Sequence, residues 1–249
     1  MKKILAVVLA VILVIVVTAE IGVRSMVSKE LSQNLAKNNG ISADGPQPAV
    51  SFGPAPLLFS AITRNVPKVD IDVPSTLDVQ NGTGLPETHI KVKSLNIADS
   101  ENPVAQTLTL NTSMPTEYLL AQAQQASGQG GFLGDLVKVS AMRTDAARNV
   151  LIVELAQGSA TLEITPKAEN GQLILDASNA SVLGFDLPPE VSDAISQSLR
   201  TGANEFGGEL RTTKVEVVET GVNLELQGEN VNLSQLPNDQ QAPVPAPAQ

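Results

Sequence analysis

The chain has 249 residues, 42% of them hydrophobic, which is enough for a sizeable core without disulfides, and it contains no cysteine. With 16 basic against 26 acidic residues the net charge is −10, which excludes the basic footprint of a nucleic-acid binder and a polybasic membrane patch. Aromatic residues are only 2% and tryptophan is absent, so any core is aliphatic, a lining that suits acyl chains as well as ordinary packing.

Lys2 and Lys3 precede an unbroken apolar run from Ile4 to Val17, and Val17-Thr18-Ala19 offers small residues before Glu20. The run is shorter than the about 20 apolar residues of a spanning helix. Residues 1–19 therefore read as a signal peptide or an N-terminal membrane anchor, and either places the body of the protein outside the cytoplasm. Residues 20–38 carry Val23, Val27, Leu31 and Leu35 at helical spacing, with Gly40 as a stop.

After a Gly/Pro connector, the stretch from Ala49 to Ser75 reads as a short strand, a Gly53-Pro54-Ala55-Pro56 hinge, a compact helix and an alternating strand. Pro56 suits the first helical turn, where its missing N–H costs nothing. Leu57, Leu58, Phe59, Ala61 and Ile62 span an apolar arc of about 200° at 100° per residue, about twice that of an ordinary surface helix. Such a helix is expected to meet apolar material on two sides. Val69, Ile71 and Val73 then face one way, and Asp70 and Asp72 the other.

The strand pattern from His89 to Ile97 slips phase between Val92 and Leu95, predicting a bulge near Ser94. Val104 to Asn111 is a further strand, and Pro115 and Thr116 open a helix with Leu119, Leu120, Ala123 and Ala126 on its apolar face. A Gly-rich loop, Gly128 to Gly134, carries Phe132 and Leu133. Four strands are predicted at Val137–Arg143, Val150–Leu155, Ala160–Thr165 and Gln172–Ala177, the last two joined at Asn170-Gly171, a strong hairpin signal. Val191, Ala194, Ile195 and Leu199 form a helix face. Lys214 to Gln227 is a closing hairpin turning at Thr220-Gly221. The Pro/Ala/Gln tail, residues 237–249, cannot bury a core and reads as disordered. The sum is eight or nine mostly antiparallel strands with four helices, an α+β pattern that a closed barrel would also satisfy.

The chemistry of catalysis is sparse. His89 is the single histidine and sits on the outer face of its strand, so with no cysteine a His-rich zinc site cannot form. No Gly-x-Ser-x-Gly elbow presents a serine. Asp70-Ile71-Asp72 matches a metal-holding D-x-D pattern, but both aspartates occupy the ordinary outer positions of a strand. The Gly128–Gly134 loop lacks the Lys-Ser/Thr ending of a phosphate cradle. No catalytic residue, metal or cofactor is expected. What remains is apolar surface with sparse polar company: Leu57, Leu58, Phe59 and Ile62 on the short helix, Phe132 and Leu133 in the loop, and Leu183 and Phe185 in the Val182–Leu187 segment. Arg64 and Lys68 flank the helix and suit a phosphate.

The order of apolar strand, Gly-Pro hinge, Leu57-led helix and alternating strand resembles the LmeA-type phospholipid-binding envelope proteins of actinobacteria. Lys214 to Leu233, KVEVVETGVNLELQGENVNL, is similar to that family's closing hairpin. The resemblance implies a single domain over residues 20–236, built as a long, curved, mostly antiparallel sheet wrapped on a few helices, as in tubular lipid-binding folds. It implies a non-enzymatic, extracytoplasmic protein that binds a phosphatidylinositol-like phospholipid at a membrane surface and serves cell-envelope glycolipid or lipomannan assembly. The alternative is an envelope scaffold or adaptor that uses a sheet edge or the Pro-rich tail to hold another protein. That reading requires a solid core.

Overall fold

The computed structural model describes residues 20–37, 41, 44–79, 83–99, 101–127, 139–204 and 210–235. Helix α1 covers residues 20–37, followed by β1 (Ala49–Phe52), α2 (Leu57–Thr63), β2 (Asn65–Val73), β3 (Glu87–Asn96), β4 (Val104–Pro115) and α3 (Thr116–Ser127). The second half runs β5 (Val139–Asp145), β6 (Val150–Leu155), β7 (Ala160–Glu169), β8 (Gln172–Val182), β9 (Phe185–Asp186), α4 (Pro189–Asn204), β10 (Arg211–Val218) and β11 (Gly221–Asn232). One sheet has the order β1-β2-β3-β4-β11-β10 and the other β5-β6-β7-β8-β9. Both are antiparallel and neither order closes on itself, so the α+β class stands and the barrel alternative does not. The described strands number eleven rather than eight or nine. Pro115 ends β4 instead of opening α3, which starts at Thr116.

Contacts divide the chain into two compact units. The first holds the described residues within Met1–Val73, Ile90–Leu108 and Glu229–Gln249. Its buried residues are aliphatic, among them Val50, Val69, Val73, Val92, Leu108 and Val231. β1 pairs with β2 in the register Val50↔Ile71 and Phe52↔Val69. Helix α1 half-buries Val23, Val27 and Leu35 and fully buries Ala36, while Leu31, expected on the same face, is exposed. The phase slip predicted near Ser94 coincides with a left-handed backbone there, φ +53°.

The second unit holds the described residues within Pro74–His89 and Thr109–Gly228. Leu151, Val217 and Val222 form a core cluster, with Met114, Leu119, Met142, Ile164 and Val215 packed around it. Asn149 adds a polar stitch: its Oδ1 accepts the Val217 N–H at 2.7 Å and its Nδ2 donates to the Pro166 carbonyl at 3.2 Å. Helix α4 docks through Ile195 and Leu199 against Leu162, Ala177 and Ala180. It is fixed by the buried Ser196, whose Oγ accepts the Ala177 N–H at 2.8 Å and donates to the Ser192 carbonyl at 2.9 Å. Val191 and Ala194, expected on that face, are exposed. Asn170 and Gly171, at φ +54° and +80°, make the expected turn between β7 and β8.

Candidate lipid site

The Gly53–Pro56 hinge has local physical causes. Gly53 donates its N–H to the Lys68 carbonyl at 3.1 Å, and a Cβ on Gly53 would lie 2.8 Å from the Lys68 Cβ, so only glycine permits this approach. Pro56 is the N-cap of α2 in extended conformation, ψ 129°, one position earlier than the sequence suggests, and it supplies no side-chain cap. The cap comes from α1. The Glu20 carboxylate accepts the Leu57 N–H at 2.6 Å and the Leu58 N–H at 3.2 Å. Arg24 donates to the same carboxylate at 2.7 Å and to the carbonyls of Gly53 at 2.8 Å and Ala55 at 2.5 Å. Hydrogen bonding, from Leu57 first and then from Leu58 and Arg24, holds the Glu20 carboxyl below the usual glutamate range. Ser28 Oγ donates to the Val50 carbonyl, tying α1 to β1 as well.

Helix α2 has 7 residues and ends at Arg64, which sits at φ +53° and donates its N–H to the Ser60 carbonyl. Its inner side buries Leu57 and Ser60. Its outer side presents Phe59 at 62% exposure and Ile62 at 79%, with Leu58 at 39%. The apolar arc therefore meets protein on one side only.

At the C-terminal end of α2 a groove of about 520 Å³ opens within the first unit. Arg64, Asn65, Ser94, Asn96, Gln106 and Asn230 line it, and among the described residues no carboxylate does. Arg64, Ser94 and Asn230 share a left-handed backbone, each at φ +53°. Ser94 Oγ donates to Asn65 Oδ1 at 3.1 Å, and the Asn96 Oδ1 accepts the Ala98 N–H at 2.9 Å. An arginine without an ion-pair partner among the described residues, beside amides and a hydroxyl, can hold a phosphate and the hydroxyls attached to it.

Of the residues singled out in the sequence, the structure brings Leu58, Phe59 and Ile62 together with Arg64 and buries Leu57 beneath them. Lys68 lies outside the groove lining and pairs with Asp70 Oδ2 at 2.7 Å; Asp70 Oδ1 is buried with no hydrogen-bond partner. Leu183 and Phe185 are in the second unit, at a hairpin tip. Phe132 and Leu133 lie outside the described residues. His89 is exposed on its strand and approaches Glu87 at 3.3 Å. Among the described residues no three metal-ligating side chains cluster, and no helix is long and apolar enough to cross a membrane. Glu20, Arg24, Asn96, Gln106 and Asn230 carried no signal in the sequence, and Ser94 only the phase slip.

Neither the curated proteins nor the solved structures give a match to this chain. The family model described as LmeA-like phospholipid-binding matches residues 18–227, and the chain belongs to that phospholipid-binding family.

Proposed function

We propose that the protein is a non-enzymatic, extracytoplasmic phospholipid carrier of the cell envelope. It binds a phosphatidylinositol-like lipid with its headgroup in the groove at Arg64 and its acyl chains against Leu58, Phe59 and Ile62. The observation that carries this reading is the meeting of solvent-exposed aliphatic and aromatic side chains with a groove that no carboxylate lines among the described residues, at one end of a single short helix. Each buried CH₂ contributes about 0.8 kcal/mol, so even one acyl chain supplies ample gross driving force. Amides and a hydroxyl suit the ring hydroxyls of a polyol, and the guanidinium suits its phosphate. The apolar leader before Glu20 supports export, and family membership supports service to envelope glycolipid or lipomannan assembly at a membrane surface.

Native mass spectrometry of the purified protein tests the reading. A phospholipid adduct, enriched after incubation with phosphatidylinositol liposomes, is the expected result. Repeated recovery of ligand-free protein, with a protein partner co-purifying instead, would overturn it in favour of the scaffold reading.

A further inference from the structure

Two turns of the second unit share one geometry and differ in chemistry. Asn170-Gly171 joins β7 to β8 at φ +54° and +80°, and Leu183-Gly184 joins β8 to β9 at φ +52° and +80°. Asparagine and glycine are the residues that such a turn selects. Leucine is not, because its side chain crowds the backbone in the left-handed region. Leu183 is nonetheless held there by its N–H, which donates to the Ser159 carbonyl at 2.7 Å. It is 73% exposed, and Phe185 beside it is 77% exposed. A Cβ on Gly184 would meet nothing within 4 Å. An apolar side chain thus occupies a position that both the backbone and the solvent disfavour, where the neighbouring hairpin shows the unstrained alternative.

We infer that the Leu183–Phe185 tip is a wedge that inserts into the interface of a zwitterionic phospholipid bilayer. The choice of occupant rests on the phospholipid-binding reading of the family and on two further observations. A stable protein partner covers about 800 Å² per side, which a tip of so few residues cannot offer, whereas insertion into a bilayer interface needs no matched surface. The charged residues from 178 to 193 are Asp186, Glu190 and Asp193, all acidic, so this stretch carries no cation of its own to draw the tip to an anionic membrane. Insertion is therefore apolar in origin and insensitive to salt.

The chain has no tryptophan, so Phe185→Trp creates a single reporter at the tip, and Glu169→Trp creates one beside the polar Asn170-Gly171 turn. The full-length variants are mixed with phosphatidylcholine vesicles whose acyl chains carry bromine. Trp emission at 185 is expected to shift blue and be quenched, equally at low and high salt, with no change at 169. Adding Leu183→Asn relieves the strained turn and is expected to cut the quenching several-fold. Phospholipid carried per protein, weighed by native mass spectrometry in the same samples, is expected to stay constant. The inference is overturned if Trp at 185 remains as open to aqueous acrylamide with vesicles as without. It is equally overturned if the emission is already blue and concentration-dependent before vesicles are added, which would mean a second copy covers the tip. Loss of carried lipid in the Leu183→Asn variant would place the tip in the carrier site instead. Absence of carried lipid in every sample would refute the carrier reading while leaving the insertion result to stand or fall alone.

Discussion

The carboxylate of Glu20 caps a helix to which it does not belong, accepting the N–H of Leu57 from 37 residues away. An ordinary N-cap is the residue just before the helix, and in α2 that place is held by Pro56, which has no acceptor on its side chain. Position of the apolar helix therefore depends on α1 being docked, and Arg24 secures the dock by reaching the hinge carbonyls of Gly53 and Ala55.

Replacing Glu20 by Gln keeps an acceptor but removes the charge that faces both the helix end and Arg24. Glu20→Ala removes the cap outright. The alanine variant is expected to melt about 2–4 °C lower, the shift of one lost cap in a chain of this size, with the glutamine variant between it and the parent. Equal melting of all three proteins would show that the cap contributes nothing.

Arg64 separates affinity from stability. Its left-handed backbone favours glycine, so Arg64→Gly is expected to fold at least as well as the parent. Loss of a charge-assisted contact worth about 1.5–3 kcal/mol should weaken phospholipid binding by about 10- to 150-fold. Liposome flotation together with thermal melts reads both effects, and unchanged binding by a folded glycine variant would remove Arg64 from the site.

Acid should destabilise the fold in a defined window. Glu163 is held below its ordinary value of 4.5 first by Arg148 and then by Asn179, and Asp176 below 3.8 first by Arg200 and then by Lys167. Each carboxyl binds fewer protons folded than unfolded. Its contribution is thus complete above the ordinary value and is lost as pH falls through the lower folded one. Melting temperature should be level down to about pH 5 and drop below about pH 4.5. The double variant Glu163→Gln, Asp176→Asn should flatten that acid limb, and an unaltered limb would assign it to other carboxylates.

Asn149 fills two needs at once, a left-handed turn position at φ +55° and the bridge from β7 to β10. Asn149→Ala leaves the Val217 N–H unpaired and strains the turn, a cost of about 2–4 kcal/mol. Asn149→Gly relieves the strain and should cost about 1–3 kcal/mol. Urea titration of the three proteins separates the two contributions, and equal losses would show that the backbone term is negligible.

What the sequence could reveal was whatever is settled by neighbours. Val150–Leu155 appears with the expected bounds, and the Asn170-Gly171 turn follows from two residues that tolerate the same backbone region. The phase slip at Ser94 was legible because a period of two cannot absorb an extra residue silently, and the backbone there is left-handed. Ser196 was invisible, since a serine in an otherwise amphipathic helix gives no periodic signal although here it is the buried anchor of α4. The groove was out of reach for a similar reason. Arg64, Ser94 and Asn230 come from three separate segments, and only their tertiary meeting makes a polar recess. Arg64 was recognised by its charge beside an apolar helix, whereas Asn230 looks in the sequence like any strand polar residue.

The three left-handed residues around that recess set a tension between robustness and recognition. Each non-glycine residue in that region costs about 1–2 kcal/mol, less for asparagine, so the groove wall is a reserve of instability within the first unit. Glycine at Arg64, Ser94 and Asn230 together should yield a hardier protein with a slacker, chemically blank recess. Selection for thermal endurance alone would erode the site first, and a thermostabilised variant of this chain that has kept all three residues will have gained its stability elsewhere.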